Sequence, residues 1–174
     1  MTKIIGIDPG SQRTGYGVIE LDRQNVIYVA SGIIKLPKLN LPLRLKIIFD
    51  DVTQIVKQYH PVEMAIEEVF LAKNPSAALK LGQSRGAAIV AAVHSGLEVF
   101  EYSARSAKKA VVGNGAANKQ QVQKMVSQLL NLSEIPPEDA ADALAVALCH
   151  GYSRLSKIVM TSSATSRYSR GRYQ

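Results

Sequence analysis

The run Ile4-Ile5-Gly6-Ile7 leads straight into Asp8-Pro9-Gly10, and this constrains the fold more than any other feature of the chain. A short, wholly apolar run is what a strand covered on both faces looks like, and Pro-Gly is a stop signal. Asp8 therefore stands at the end of a buried strand, where an unpaired charge would cost several kcal/mol. Asp-Pro-Gly is also an ordinary turn sequence, so this residue alone does not separate a turn from a site.

The elements that follow fit around such a strand. Residues 14–21 read as a second strand, joined to the first (3–8) through Pro-Gly-Ser turn chemistry, and 25–36, rich in Val, Ile and Tyr, read as a third. Between 41 and 59, Leu45, Ile48, Phe49, Val52, Ile55 and Val56 recur at spacings of three and four, which predicts an amphipathic helix. His60-Pro61 ends it, because proline disfavours helix in the residue before it. A fourth strand is predicted at 62–70, a long helix with little charge at 75–94, and a fifth strand at 98–102. Helices follow at about 103–111, 118–131 and 137–151. Three strands and then helix–strand–helix–strand predict an α/β fold, a mixed five-stranded sheet flanked by helices, with strands 3–8 and 62–69 central. The ordered domain is expected to span 1–152, followed by a basic, disordered tail at 153–174.

With 174 residues, 47% of them hydrophobic, the chain has room for one sizeable core. No apolar run approaches the roughly 18 residues of a membrane span, and no secretory leader pattern opens the chain. Cys149 is the single cysteine, which excludes an intrachain disulfide, so a cytoplasmic protein is expected. The net charge of +7 is unevenly spread. Arg154, Lys157, Arg167, Arg170 and Arg172 crowd the tail without a carboxylate. The acid-free stretch between Glu101 and Glu134 carries Arg105, Lys108, Lys109, Lys119 and Lys124. Local positive fields of this kind suit a polyanion such as nucleic acid.

Further acids fall at suggestive places. Glu67 and Glu68 end the fourth strand, and alternation sends their side chains to opposite faces, so one of them can share a site with Asp8. Asp139 and Asp142 lie three apart in a helix and project from one face; Glu138, four before Asp142, rivals Asp139. Clustered carboxylates repel by about 4 kcal/mol per close pair at an effective dielectric near 20. Hard divalent cations relieve that strain, and an all-oxygen site suits Mg²⁺ or Mn²⁺. Zinc does not fit, because His60, His94 and His150 are isolated and no Cys/His ligand spacing exists. Acids beside a basic surface point to phosphodiester chemistry.

Taken in order, the motifs resemble those of one family. Ile5-Gly6-Ile7-Asp8-Pro9-Gly10-Ser11 followed by Thr14-Gly15-Tyr16-Gly17-Val18-Ile19 looks like the opening of the RuvC crossover-junction endonucleases. Ala65-Ile66-Glu67-Glu68-Val69-Phe70 with Ala72-Lys73-Asn74 resembles their second acidic motif. Ala78-Leu79-Lys80-Leu81-Gly82-Gln83-Ser84-Arg85-Gly86 resembles their central helix, and Asp139-Ala140-Ala141-Asp142-Ala143-Leu144-Ala145 their closing motif. The resemblance implies an RNase H-like fold in which Asp8, Glu67, Asp139 and Asp142 hold two Mg²⁺ ions, with Mn²⁺ able to substitute. It also implies resolution of four-way (Holliday) junction DNA by paired symmetric nicks that leave 5′-phosphates and 3′-hydroxyls, in recombination and repair. RuvA and RuvB branch-migration proteins are the implied partners. Phe70 matches an aromatic that stacks on unpaired bases, and Lys108 and Lys119 match basic residues that approach the scissile phosphate. Lys80, Arg85 and Lys109 are further candidates for DNA contact.

Two symmetric cuts call for two sites, which a two-fold homodimer supplies. Gly82, Gly86, Ala77, Ala78, Ala87 and Ala88 leave little bulk on helix 75–94, making it a candidate seam. Two other functions compete. An ATP-using enzyme of the actin and sugar-kinase type shares the opening strand–turn–hairpin, but the chain is too short for two such domains and lacks a Gly-Lys-Ser/Thr loop. A non-catalytic junction-binding protein explains the charge but not the acids that end buried strands.

Overall fold

A computed structural model describes residues 1–69 and 74–169, with side chains described to residue 157 of the last helix. Five strands, β1 (Thr2–Asp8), β2 (Arg13–Asp22), β3 (Asn25–Lys35), β4 (Glu63–Glu67) and β5 (Glu98–Tyr102), form one sheet in the order β3-β2-β1-β4-β5. β1 pairs antiparallel with β2 and parallel with β4, and β5 continues parallel to β4. The sheet is therefore mixed, with both apolar strands interior, as the sequence predicts. Their apolar middles, residues 4–7 and 64–66, are what permit cover on both faces, and the charges stand at their ends.

One face carries α1 (Leu41–Tyr59) and α2 (Pro75–His94); the other carries α3 (Ala104–Val112), α4 (Lys119–Leu129) and α5 (Glu138–Ser169). Strand alternation divides the core between them. Ile5, Ile7, Met64 and Ile66 pack with Ile48 and Val52 of α1 and Ala88 and Ala91 of α2. Ile4 and Ala65 face the other way, onto Leu144, Ala147 and Leu148 of α5. The helices start and stop where local chemistry requires. Asn40, Asn74, Ser103 and Asn118 accept hydrogen bonds from first-turn amides, and α1 ends on His60 in the left-handed conformation at φ 54°.

α5 lies across β1 and β2, and glycine lets it come close. A Cβ at Gly6 would overlap the Ala143 carbonyl, one at Gly15 the Asp139 carbonyl, and one at Gly17 the Leu144 side chain. Gly6 and Gly17 are register partners, so the bare patch is continuous across two strands. Residues 140, 141 and 143–149 of α5 are all buried there.

The last helix, expected at about 137–151, is longer in the structure. The backbone stays helical to Ser169, since no proline or glycine interrupts the chain between Gly151 and Gly171. The remainder of the expected tail, 170–174, lies outside the described residues.

Candidate active site

Face parity decides which glutamate meets Asp8. Ile4, Gly6 and Asp8 of β1 look toward α5, and so do Glu63, Ala65 and Glu67 of β4, whereas Glu68, just past β4, lies beside Ala78 and Leu79 of α2 and meets Asp8 and Glu67 only at a separate cleft with Leu81. Asp8 and Glu67 thus emerge at neighbouring parallel strand ends on one face. α5 begins just beyond them, with the Gly15 contact fixing the height of its first turn. The result is a cleft of about 270 Å³ lined by Asp8, Glu67, Glu138, Asp139 and Asp142, with Lys108 of α3 and Lys119 of α4 on its wall.

The electrostatics follow from this crowding. Burial pushes the Asp8 carboxyl up to about 8, with Glu67, Asp142 and Asp139 adding to the rise and Lys119 opposing it. Glu67 is raised by burial and by Asp142, against Lys108 and Lys119. Asp142 is raised chiefly by burial, with Lys119 and Lys108 pulling the other way. Lys119 is ion-paired with Glu138, which raises its ammonium. Glu138 therefore belongs to the cleft but is engaged by a lysine, while Asp139 is free of such a pair among the described residues.

Fitness for a cation follows from these groups. Among the described residues, no three His, Cys, Asp or Glu side chains are drawn into a tight preformed cage. Mutual repulsion of about 4 kcal/mol per close pair opposes a closer cluster. The donor set nevertheless fits a hard divalent ion. It is all oxygen and projects from fixed strand and helix ends, and Asp8, Glu67 and Asp142 are held above their ordinary range by burial first and by neighbouring carboxylates after it, a strain that a cation would relieve.

The other sequence candidates fall elsewhere. The Arg85 guanidinium is turned inward: Nε donates to the Glu67 carbonyl at 3.1 Å and the head pairs with Glu101. It braces the strand end that carries Glu67 and is not an open surface cation. Lys80 on α2 and Lys109 on α3 are exposed and do not line the acid cleft. Phe70 lies outside the described residues.

Sequence reasoning missed one buried polar group. His150 donates or accepts at Tyr102 Oη (2.8 Å) and at Glu63 Oε2 (2.9 Å), stacks on Phe100 at 4.2 Å, and Arg154 closes on the same Glu63. The signal available was a glutamate opening the apolar run 63–66.

Comparison with known proteins gives a consistent picture. The family model described as crossover junction endodeoxyribonuclease RuvC matches residues 4–150. A crossover junction endodeoxyribonuclease RuvC of Vibrio cholerae is 55% identical over 174 residues, all of both chains, and that of Psychromonas ingrahamii is 53% identical over the same span. Among solved structures, Thermus thermophilus RuvC in complex with a Holliday junction substrate aligns with a TM-score of 0.82 at 33% identity, covering 90% of this chain and 97% of that one. The yeast mitochondrial Holliday junction resolvase, 13% identical with a TM-score of 0.61, shares the fold.

Proposed function

The chain belongs to the RuvC family of crossover junction endodeoxyribonucleases, and from that premise we propose that it resolves four-way DNA junctions by paired, metal-dependent nicks. The observation that carries this reading is the convergence of Asp8, Glu67, Asp139 and Asp142 in one cleft walled by Lys108 and Lys119. An exposed basic surface would serve a binding protein equally well, but half-buried carboxylates crowded together without paired cations among the described residues suit chemistry that neutralises them.

Asp8, Glu67, Asp139 and Asp142 would hold two Mg²⁺ ions, with Mn²⁺ able to replace them. Bound there, such a pair would supply Lewis acidity to activate a water and to steady the leaving oxygen of an in-line displacement. The protein's own share is positioning. Strand ends and the first two turns of α5 fix the four carboxylates, and Arg85 holds the Glu67 carbonyl. Lys108 and Lys119 face the scissile phosphate and offset its charge. Cleavage leaves a 5′-phosphate and a 3′-hydroxyl. Phe70, next to this cleft in sequence, stacks on bases unpaired at the crossover, a contact worth about 1–3 kcal/mol per base.

Symmetric cutting calls for a homodimer, and the outer face of α2 supports one. Leu79, Val90 and Val93 are 70%, 58% and 59% exposed there, and Gly82 and Gly86 have open space where a Cβ would stand. The junction is delivered by RuvA and RuvB in the cytoplasm. No helix among the described residues is long and apolar enough to cross a membrane.

The test is purified protein with Mg²⁺ on a mobile four-way junction beside linear duplex of the same sequence. Symmetric nicks in the junction alone are expected. Asp8→Asn should keep junction binding and abolish cleavage; undiminished cleavage by that variant would overturn the assignment of the acids.

A further inference from the structure

We infer that a second cleft, lined by Arg13, Lys35, Lys38 and Arg44, binds the sugar–phosphate backbone of a DNA arm flanking the acid cleft; this rests on the nuclease reading above. The cleft measures about 650 Å³, with Ile33 and Leu36 on its apolar wall. No carboxylate lines it, and among the described residues none pairs with any of the four cations.

Register fixes where this cleft lies relative to Asp8. Asp8 pairs with Gly15, and Gly15 with Ile33, so these three residues form one row across the sheet. Arg13 and Lys35 pair two residues further toward the same rim and, by alternation, on the same face. One strand spacing of about 4.8 Å and two residues of about 3.4 Å rise put Arg13 roughly 8 Å from Asp8, and a second spacing puts Lys35 roughly 12 Å from it. A DNA strand covers that reach in roughly three or four nucleotides at about 3.4 Å each.

Arg44 completes the cleft from α1. Its Nη1 donates to the Ser11 carbonyl at 2.7 Å, tying the helix to the turn that follows Asp8, and its Nε is buried without a hydrogen-bond partner. α1 starts here with no acid in its first turn, so the positive end of a 19-residue helix adds to the field. Four cations at a positive helix end repel one another, which disfavours the fold locally and is relieved by an anion. An extended polyanion on the rim that also carries the acid cleft matches both the charge and the shape.

The test uses the full chain with Arg13, Lys35 and Lys38 replaced by alanine; all three are exposed or half-buried, and Arg44 is left to brace the turn. Binding to a synthetic four-way junction is followed by fluorescence anisotropy in EDTA over a range of salt. The triple variant should bind at least tenfold more weakly at low salt, and its plot of log affinity against log salt should be shallower by about 0.9 for each phosphate it no longer neutralises. Lys57→Ala, an exposed cation in the last turn of α1, should leave both quantities unchanged. Lys38→Ala alone should give a partial, same-direction effect, which keeps the test open should the triple variant fold poorly. Wild-type affinity and slope in the triple variant would overturn the inference while leaving the nuclease reading intact, as would a weaker affinity with an unchanged slope. A wild-type chain that neither binds nor cuts the junction would instead overturn the reading beneath it.

Discussion

Asp8 is held up to about 8 by burial first and by Glu67, Asp142 and Asp139 after it, and that shift has a thermodynamic consequence. A carboxyl whose folded pKa exceeds its ordinary 3.8 binds its proton more tightly in the folded chain. The stability it contributes is complete below 3.8 and is lost as pH rises toward about 8. Glu67 and Asp142 are shifted the same way and steepen the loss. In EDTA, the melting temperature should therefore fall across this window. Asp8→Asn should flatten the fall and stabilise the chain at the upper end by on the order of 2–4 kcal/mol. Adding Mg²⁺ should raise the wild-type melting temperature far more than that of the variant. Calorimetry at several pH values checks both; a wild-type curve that rises with pH would contradict the site. At this scale the sequence was partly legible. Asp8 stood out because charge at the end of an apolar run is costly. The choice between Glu67 and Glu68 stayed open to pattern alone, since it depends on which sheet face receives α5, and that is a tertiary fact.

The elements owe their positions to contacts that side-chain patterns do not record. Periodicity located the five strands and five helices of the described residues, because each has one apolar face or two. The closeness of α5 to β1 and β2 was not visible, since it depends on glycines standing opposite backbone across the layer. Gly15→Ala should push the first turn of α5 off the sheet at Asp139. Overpacking of this kind costs about 1–3 kcal/mol, and because the displaced turn carries Asp139 and leads directly into Asp142, cleavage should fall much further than junction binding. Urea melts read the first and a nicking assay the second; an alanine variant with full activity would mean that Gly15 does not set the height of α5. Glu63 plays a comparable role further along α5, where it joins β4 to His150 and Arg154. Glu63→Ala would strand a buried histidine and an arginine that is 38% exposed. The expected loss is roughly 2–4 kcal/mol, at the lower side of values for broken buried pairs because Arg154 can reach water. Glu63→Gln, which keeps acceptor and shape, should recover part of it. Such pairs are hard to read in a sequence because partners 87 residues apart carry no local signature.

For the whole molecule, chemistry on one strand has to become a symmetric outcome on two. One chain supplies one acid cleft, so paired nicks need a second copy held at a fixed angle. Leu79, Gly82, Gly86, Val90 and Val93 recur on α2 at spacings of three and four, with the glycines open and the large residues exposed. That is a helix face shaped for another helix, and it stands on the opposite side of the sheet from α5. Small residues at the centre let two backbones approach, and flanking apolar side chains close the ends. Charge placed there should separate the copies without touching the acids. Leu79→Glu with Val93→Glu is expected to sediment as a monomer. It should retain the fold, since both residues are already exposed. On a junction held in a supercoiled plasmid, which distinguishes one cut from two, it should accumulate singly nicked product in place of linear. If the double variant still sediments as a dimer and cuts in pairs, the two-fold axis lies on some other face, and the open glycines of α2 serve a different contact.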